Sequence, residues 1–166
     1  MSTITTDMIS QALTGLTQQT ELESKIQRNY EEAMEVIPES FISVNMLYLD
    51  ININDLHFKA FVDTGAQISI MSEFIAEACG LSDLIDRQYQ GVAKGVGEAK
   101  ITGRIHCIDI CIGTKLLPCS FTILDTTDMK LILGLDMMLS HGCLLDLKNR
   151  CLHLGEERID FVIGDF

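Results

Sequence analysis

Two hydrophobic periodicities divide the chain. Over residues 1–39 apolar positions recur at three- and four-residue spacing, whereas from Phe41 onward they alternate or cluster in short blocks cut by glycine and polar turns. The first stretch predicts helix. Ile9, Leu13 and Leu16 share one face of a short segment that Asp7 can cap and Gly15 weakens near its end. A second, stronger helix follows, with Thr20 and Glu23 at capping-box spacing, a stripe of Leu22, Ile26, Tyr30, Ala33, Met34 and Ile37, and Pro38 as its stop. The Glu, Lys, Arg and Gln residues between them form a solvated face. The stripe is expected to pack within a small helical module or against the remaining chain.

From residue 40 to 166 the pattern predicts one mainly β domain. Asn45 to Ile53 and His57 to Val62 read as a hairpin turned by Asn54-Asp55. Ser72 can cap a short helix through Cys79, with Gly80 as its end, and Ser82 to Asp86 connects onward. Arg87 to Ala93 and Ala99 to Cys111 are two strand-like arms around a tip of Lys94, Gly95, Val96 and Gly97. Lys115 to Leu124 is a further strand, and Leu131 to Leu133 a buried one. Gly134 is placed to let backbones cross closely, and a short helix follows from Leu135 to His141. Cys143 to Leu147 and Cys151 to Leu154 suggest a final hairpin. The tail from Glu156 to Phe166 has no clear place.

Composition narrows the function. At 166 residues with 47% hydrophobic content, the chain suffices for one domain with a real core plus a small appendage. A formal net charge of -12 argues against a nucleic-acid duplex or an anionic membrane as partner. No apolar run is long enough to span a bilayer, and the N-terminus lacks a signal-type pattern, so a soluble intracellular chain is expected. Cys79, Cys107, Cys111, Cys119, Cys143 and Cys151 form no Cys-x-x-Cys pair and read as core thiols in a reducing compartment. His57, His106, His141 and His153 fall far apart, so neither a metal nor a cofactor is expected.

The chemistry concentrates at Asp63-Thr64-Gly65-Ala66, where an apolar strand ends in an acid, a hydroxyl and a residue free of φ restriction. Gly65 lets the chain turn and brings its amide near the carboxylate, and the Thr64 hydroxyl can brace a neighbouring backbone group. Asp63 is the candidate catalytic acid. A tripeptide alone is weak, and a turn-capping aspartate is the plain alternative. Asp125, Asp128, Asp136 and Asp146 lack the Thr-Gly turn and are assigned surface or capping roles.

Several phrases in order carry a resemblance across about two thirds of the chain. They are Met46-Leu47-Tyr48, Lys59-Ala60-Phe61-Val62-Asp63-Thr64-Gly65-Ala66-Gln67, Ala93-Lys94-Gly95-Val96-Gly97, Gly103-Arg104-Ile105-His106, Leu117-Pro118-Cys119-Ser120-Phe121 and Leu133-Gly134-Leu135-Asp136-Met137. The stretch resembles the retroviral-type aspartic proteases, above all the protease domain of the DNA-damage-inducible ubiquitin-shuttle family. That resemblance implies a retropepsin-like closed β-barrel, preceded by the end of a helical domain. It implies a homodimer in which each subunit supplies one Asp63, because two facing carboxylates are needed for combined acid and base work. It makes Thr64, Gly65 and Ala66 active-site support, residues 93–97 a flap over extended polypeptide, and Gly134 a structural residue beside the site. Family members are linked to ubiquitin and proteasome traffic, which points to ubiquitinated or partner proteins as substrates, in the cytoplasm, with the nucleus as a second compartment. The alternatives are a catalytically silent module that dimerises or binds ubiquitin chains, and a mobile-element protease.

Overall fold

The computed structural model describes residues 6–93, 99–128 and 130–162, in two units, 1–44 and 45–166. In the first unit one helix, α1 (Thr6–Val36), runs through 31 residues where two were expected. Gly15 costs about 1 kcal/mol relative to alanine, which a helix of this length absorbs through its cooperative ladder. The Thr20 hydroxyl does not cap a new helix. It donates to the Leu16 carbonyl at 2.9 Å one turn back, as Thr14 does to Ser10 and Thr17 to Leu13. The helix ends before Pro38 in a 3-10 turn, Pro38–Phe41, and Tyr30 meets Phe41 edge-on at 5.3 Å. Within its own unit the stripe stays exposed, for no residue of α1 is buried.

The second unit is a closed barrel. β1 (Tyr48–Ile53) and β2 (Leu56–Val62) form a hairpin whose turn residues Asn54 and Asp55 both have positive φ, at 50° and 66°. Asn and Asp are the non-glycine residues that tolerate this conformation, and it matches the twist of a two-residue hairpin. The remaining barrel strands are β3 (Ile70–Ser72), β5 (Ala99–Ile112), β6 (Lys115–Leu124) and β7 (Leu131–Leu133). Their order is β1-β2-β7-β3-β6-β5, and β5 pairs back onto β1 through Ile51–Ile112 and Asn52–Cys111. That pairing closes six strands. β4 (Gly91–Ala93) lies outside the ring on β5.

Alternation fills the interior. Leu49, Ile51 and Ile53 from β1 are buried, and β7, covered on both faces, is buried at all three positions. A register shift between Ile105 and Ile108 turns both His106 and Cys107 to solvent while keeping both isoleucines inside. This is why Cys107 is exposed rather than a core thiol. A second sheet holds β8 (Cys143–Asp146), β9 (Cys151–Leu154) and β10 (Glu157–Asp160), all antiparallel. The tail thus becomes a third strand, and Val162 bridges back to Tyr48. Among the described residues no helix is long and apolar enough to cross a membrane.

Two short helices hold the barrel ends. α2 (Glu73–Ala78) begins at Ser72, whose side chain accepts from the Ile75 amide, and α3 (Leu135–Ser140) begins at Gly134. A Cβ on Gly134 would come within 2.7 Å of the Ile68 carbonyl carbon and oxygen and 2.9 Å of the Ala66 oxygen. Only glycine permits this crossing. Beside it the buried Ser69 hydroxyl accepts from the Gly134 amide at 2.9 Å and donates to Asp136 Oδ1 at 2.7 Å. Asp136 Oδ2 accepts from the Ser69 amide at 3.0 Å, and its Oδ1 also accepts from the Met137 amide at 2.7 Å.

Gly134→Ala is expected to destabilise the domain by about 1–3 kcal/mol, because the new methyl meets backbone that cannot rotate away. Equilibrium urea unfolding measures this, and a change within about 0.5 kcal/mol would contradict a rigid crossing. Asp136→Ala strands the buried Ser69 donors and should cost about 1–3 kcal/mol in the same assay.

Candidate active site

Asp63 stands at the point where β2 leaves the barrel. Val62 pairs with Leu133 in parallel register, and the Asp63 amide donates to the Leu133 carbonyl at 3.1 Å. The strand is therefore held up to the acid itself. Beyond it the Gly65 amide donates to Asp63 Oδ1 at 2.8 Å, and the Ala66 amide donates to the Asp63 carbonyl at 3.2 Å. A Cβ on Gly65 would lie 3.1 Å from Asp63 Oδ1, so a side chain there would crowd the carboxylate. One oxygen is thus fixed by a backbone donor. The carboxylate as a whole stays half-buried, at the border of core and solvent.

The loop is sewn to α3. Leu135 donates its amide to the Ala66 carbonyl at 2.8 Å and Asp136 to the Gln67 carbonyl at 3.2 Å, alongside the Ser69–Asp136 bonds. Gly134, expected near the site, is buried at this junction. Thr64 behaves differently from expectation: it is exposed, and its hydroxyl has no hydrogen-bond partner among the described residues. The amides of Gly65 and Ala66 close the turn without the Thr64 side chain.

Of the hairpin expected over the site, Ala93 is described through its backbone, paired with Ala99, and Gly91 pairs with Ile101. Lys94, Gly95, Val96 and Gly97 lie outside the described residues. The first arm is shorter than expected, because Asp86 accepts from the Gln88 amide at 2.9 Å and turns the chain before β4. Its base is anchored. Arg87 and Thr102 both bond Glu73 at the start of α2, at 2.7 and 2.8 Å, and the Arg87 guanidinium leads in holding the Glu73 carboxyl below its ordinary range. His106 bonds Asp86 at 2.9 Å and is the main cause of a lowered Asp86 carboxyl, while Tyr89 packs against the same His106 at 5.3 Å.

The remaining acids divide. Asp125 and Asp128 are exposed on their loop, and Asp146 accepts two bonds from Asn149. Asp136 does more than cap: it ties α3 to the loop carrying Asp63, a role shared with Ser69 that local sequence does not signal, since 67 positions separate the pair. Among the thiols, burial pushes Cys119 up to about 12, with the Asp136 charge as a further cause, which leaves it inert as a nucleophile. A concavity of about 810 Å³ lies away from Asp63, between the turns after β1 and β5, lined by Asp50, His57, Asp109 and Thr114 among others. Its volume coincides with none of the expected site residues, and the hydrogen-bonded turn at Asp63 is the stronger guide to chemistry.

Known proteins resemble this chain over most of its length. The aspartyl protease family profile matches residues 38–146. DNA damage-inducible protein 1 of Neurospora crassa is 46% identical over 140 residues, covering 84% of this chain and 32% of that protein. Protein DDI1 homolog 2 of Homo sapiens is 48% identical over 133 residues, covering 80% of this chain and 33% of its own length. The chain thus spans about a third of the curated relatives it matches. The crystal structure of the retroviral protease-like domain of Ddi1 from Leishmania major superposes with a TM-score of 0.67 at 42% identity, covering 72% of this chain and 96% of that one. With a profile match over most of the barrel and this degree of identity, the chain belongs to the aspartyl protease family, as a retroviral protease-like domain of the DNA damage-inducible protein 1 type.

Proposed function

We propose that two copies of this chain form an aspartic endopeptidase, each supplying one Asp63. The observation that carries the reading is a half-built site. Each chain has a single Asp-Thr-Gly loop, with one carboxylate oxygen held by the Gly65 amide and an exposed Thr64 hydroxyl that has no partner among the described residues. A second copy across a two-fold axis supplies what is missing. Two carboxylates about 3 Å apart cannot both ionise, so they share one proton. The ionised Asp63 takes a proton from a water as its oxygen attacks the scissile carbonyl carbon. The protonated Asp63 hydrogen-bonds the carbonyl oxygen as negative charge develops there, and a proton is then delivered to the leaving nitrogen.

The other residues follow from this placement. Thr64 braces the paired loops across the axis, Gly65 and Ala66 floor the cleft, and residues 93–97 roof it as a flap that excludes water. Substrate binds extended, pairing its backbone as an added strand, with apolar subsites for alternate side chains. The resemblance to ubiquitin-shuttle proteins supports ubiquitinated or partner proteins of the ubiquitin–proteasome pathway as substrates, in the cytoplasm. Cleavage should be favoured at acid pH, where the pair keeps its one proton.

Asp63→Asn is expected to lower cleavage of a denatured, ubiquitin-tagged substrate by at least about 10²–10⁴-fold with the melting temperature little changed. Undiminished cleavage by that variant would exclude the mechanism, and binding without inhibitor-sensitive cleavage at any pH from acid to neutral would identify a silent module instead. Sedimentation at micromolar concentration should give the mass of two chains. A single-chain mass accompanied by full activity would remove the shared-site reading.

A further inference from the structure

We propose that the β8–β9 hairpin carries a binding site for a thiophilic divalent metal ion, Zn²⁺ fitting best, formed by Asp146, Cys151 and His153. Strand pairing assembles it. Asp146 sits directly opposite Cys151, so their side chains share a face, and His153 lies two residues along β9 on that same face. Cys151 Sγ is 3.4 Å from His153 Nε2, which is 3.8 Å from Asp146 Oδ2, and all three donor atoms lie within 4.8 Å of one another.

Those separations suit one small ion. Sulfur, nitrogen and oxygen ligands at about 2.0–2.3 Å from tetrahedral zinc lie roughly 3.3–3.6 Å apart. The Cys–His distance is already in that range, and the other two shorten with small rotations of Asp146 and His153. The donor set is a thiolate, an imidazole and a carboxylate, which selects zinc-like metals over calcium or magnesium.

A supporting shell is in place. Asn149 donates its amide to Asp146 Oδ1 at 2.9 Å and its side chain to Oδ2 at 2.7 Å, which holds the carboxylate in position. The neighbouring cation, Arg158, faces His153 across β10 but is engaged by Asp160 at 2.9 Å. Cys151 is fully buried, whereas the His153 and Asp146 side chains are 30% and 24% exposed. Metal therefore has access from the solvent side, where a water can take the fourth position. Binding releases the Cys151 thiol proton to solvent and clips the two strands together. Without metal the same groups form a thiol–imidazole–carboxylate cluster, and titration separates the two.

The test is titration of the metal-stripped full chain with Co²⁺, read by thiolate-to-metal absorption, and with Zn²⁺, read by calorimetry. One equivalent per chain is expected, with the absorption lost in Cys151→Ser. Because that residue is buried, folded His153→Asn and Asp146→Asn variants carry the test independently and should each weaken Zn²⁺ by more than tenfold. Asn149→Ala should weaken it by about 10–100-fold. Zn²⁺ should raise the melting temperature of the parent and not of His153→Asn. A parent without the absorption band in excess Co²⁺, or a band retained in His153→Asn and Asp146→Asn but lost in a Cys107→Ser/Cys111→Ser variant, would overturn the proposal. Neither result bears on Asp63.

Discussion

The close crossing at Gly134 is the constraint on which the functional loop depends. Backbone atoms of Ala66 and Ile68 lie where any side chain at 134 would project. Two segments brought that close exclude water, so each polar group there needs a partner from the other segment. Ser69 and Asp136 supply them, one hydroxyl both accepting from Gly134 and donating to Asp136. Among the described residues no buried side-chain nitrogen or oxygen is left unpaired. The loop bearing Asp63 is therefore fixed from both sides, and the Gly65 amide then holds one oxygen of the carboxylate on that fixed loop.

What could be read in advance followed from local patterns. Alternation in β1 and β2, the continuous apolar β7, the Ser72 cap and the Asn54-Asp55 turn are decided by neighbours a few residues away. What escaped was decided at a distance. The Ser69–Asp136 bond spans 67 positions, and β10 is a strand because β9 offers it an edge. Helix α1 illustrates a different failure: Thr20 and Glu23 match a capping signature, but the same hydroxyl bonds one turn back when the helix already continues through it. At Asp63 the acid and its Gly65 partner were readable because two residues suffice to form the turn. The surface position of the Thr64 hydroxyl was not.

The same distinction bears on the cysteines and histidines. Looking for Cys-x-x-Cys assumes that ligands gather within one turn, whereas a hairpin brings together residues facing each other across strands. Asp146 and Cys151 are cross-strand partners, and His153 joins them through the period of two. Sequence spacing alone treats these as scattered. Register makes them neighbours.

The strand order explains why the Asp63 loop is stiff without help from charge. β2 and β3 flank the Asp63 loop, β6 and β7 flank the next polar loop, and in the sheet they alternate as β2-β7-β3-β6. Neither segment can complete its hydrogen bonding without the other, since β7 is paired parallel to β2 and antiparallel to β3. Such interleaving makes contacts non-local and slow to form, but a loop held between interlocked strands cannot loosen unless several pairings break together. Ion pairs such as Arg87–Glu73 and Lys59–Asp50 are largely exposed on at least one side and contribute little by comparison. They tie down the base of the β4–β5 hairpin and the outer face of β1–β2, where modest attachment is enough. Rigidity therefore belongs to the floor that presents Asp63, and it comes from topology.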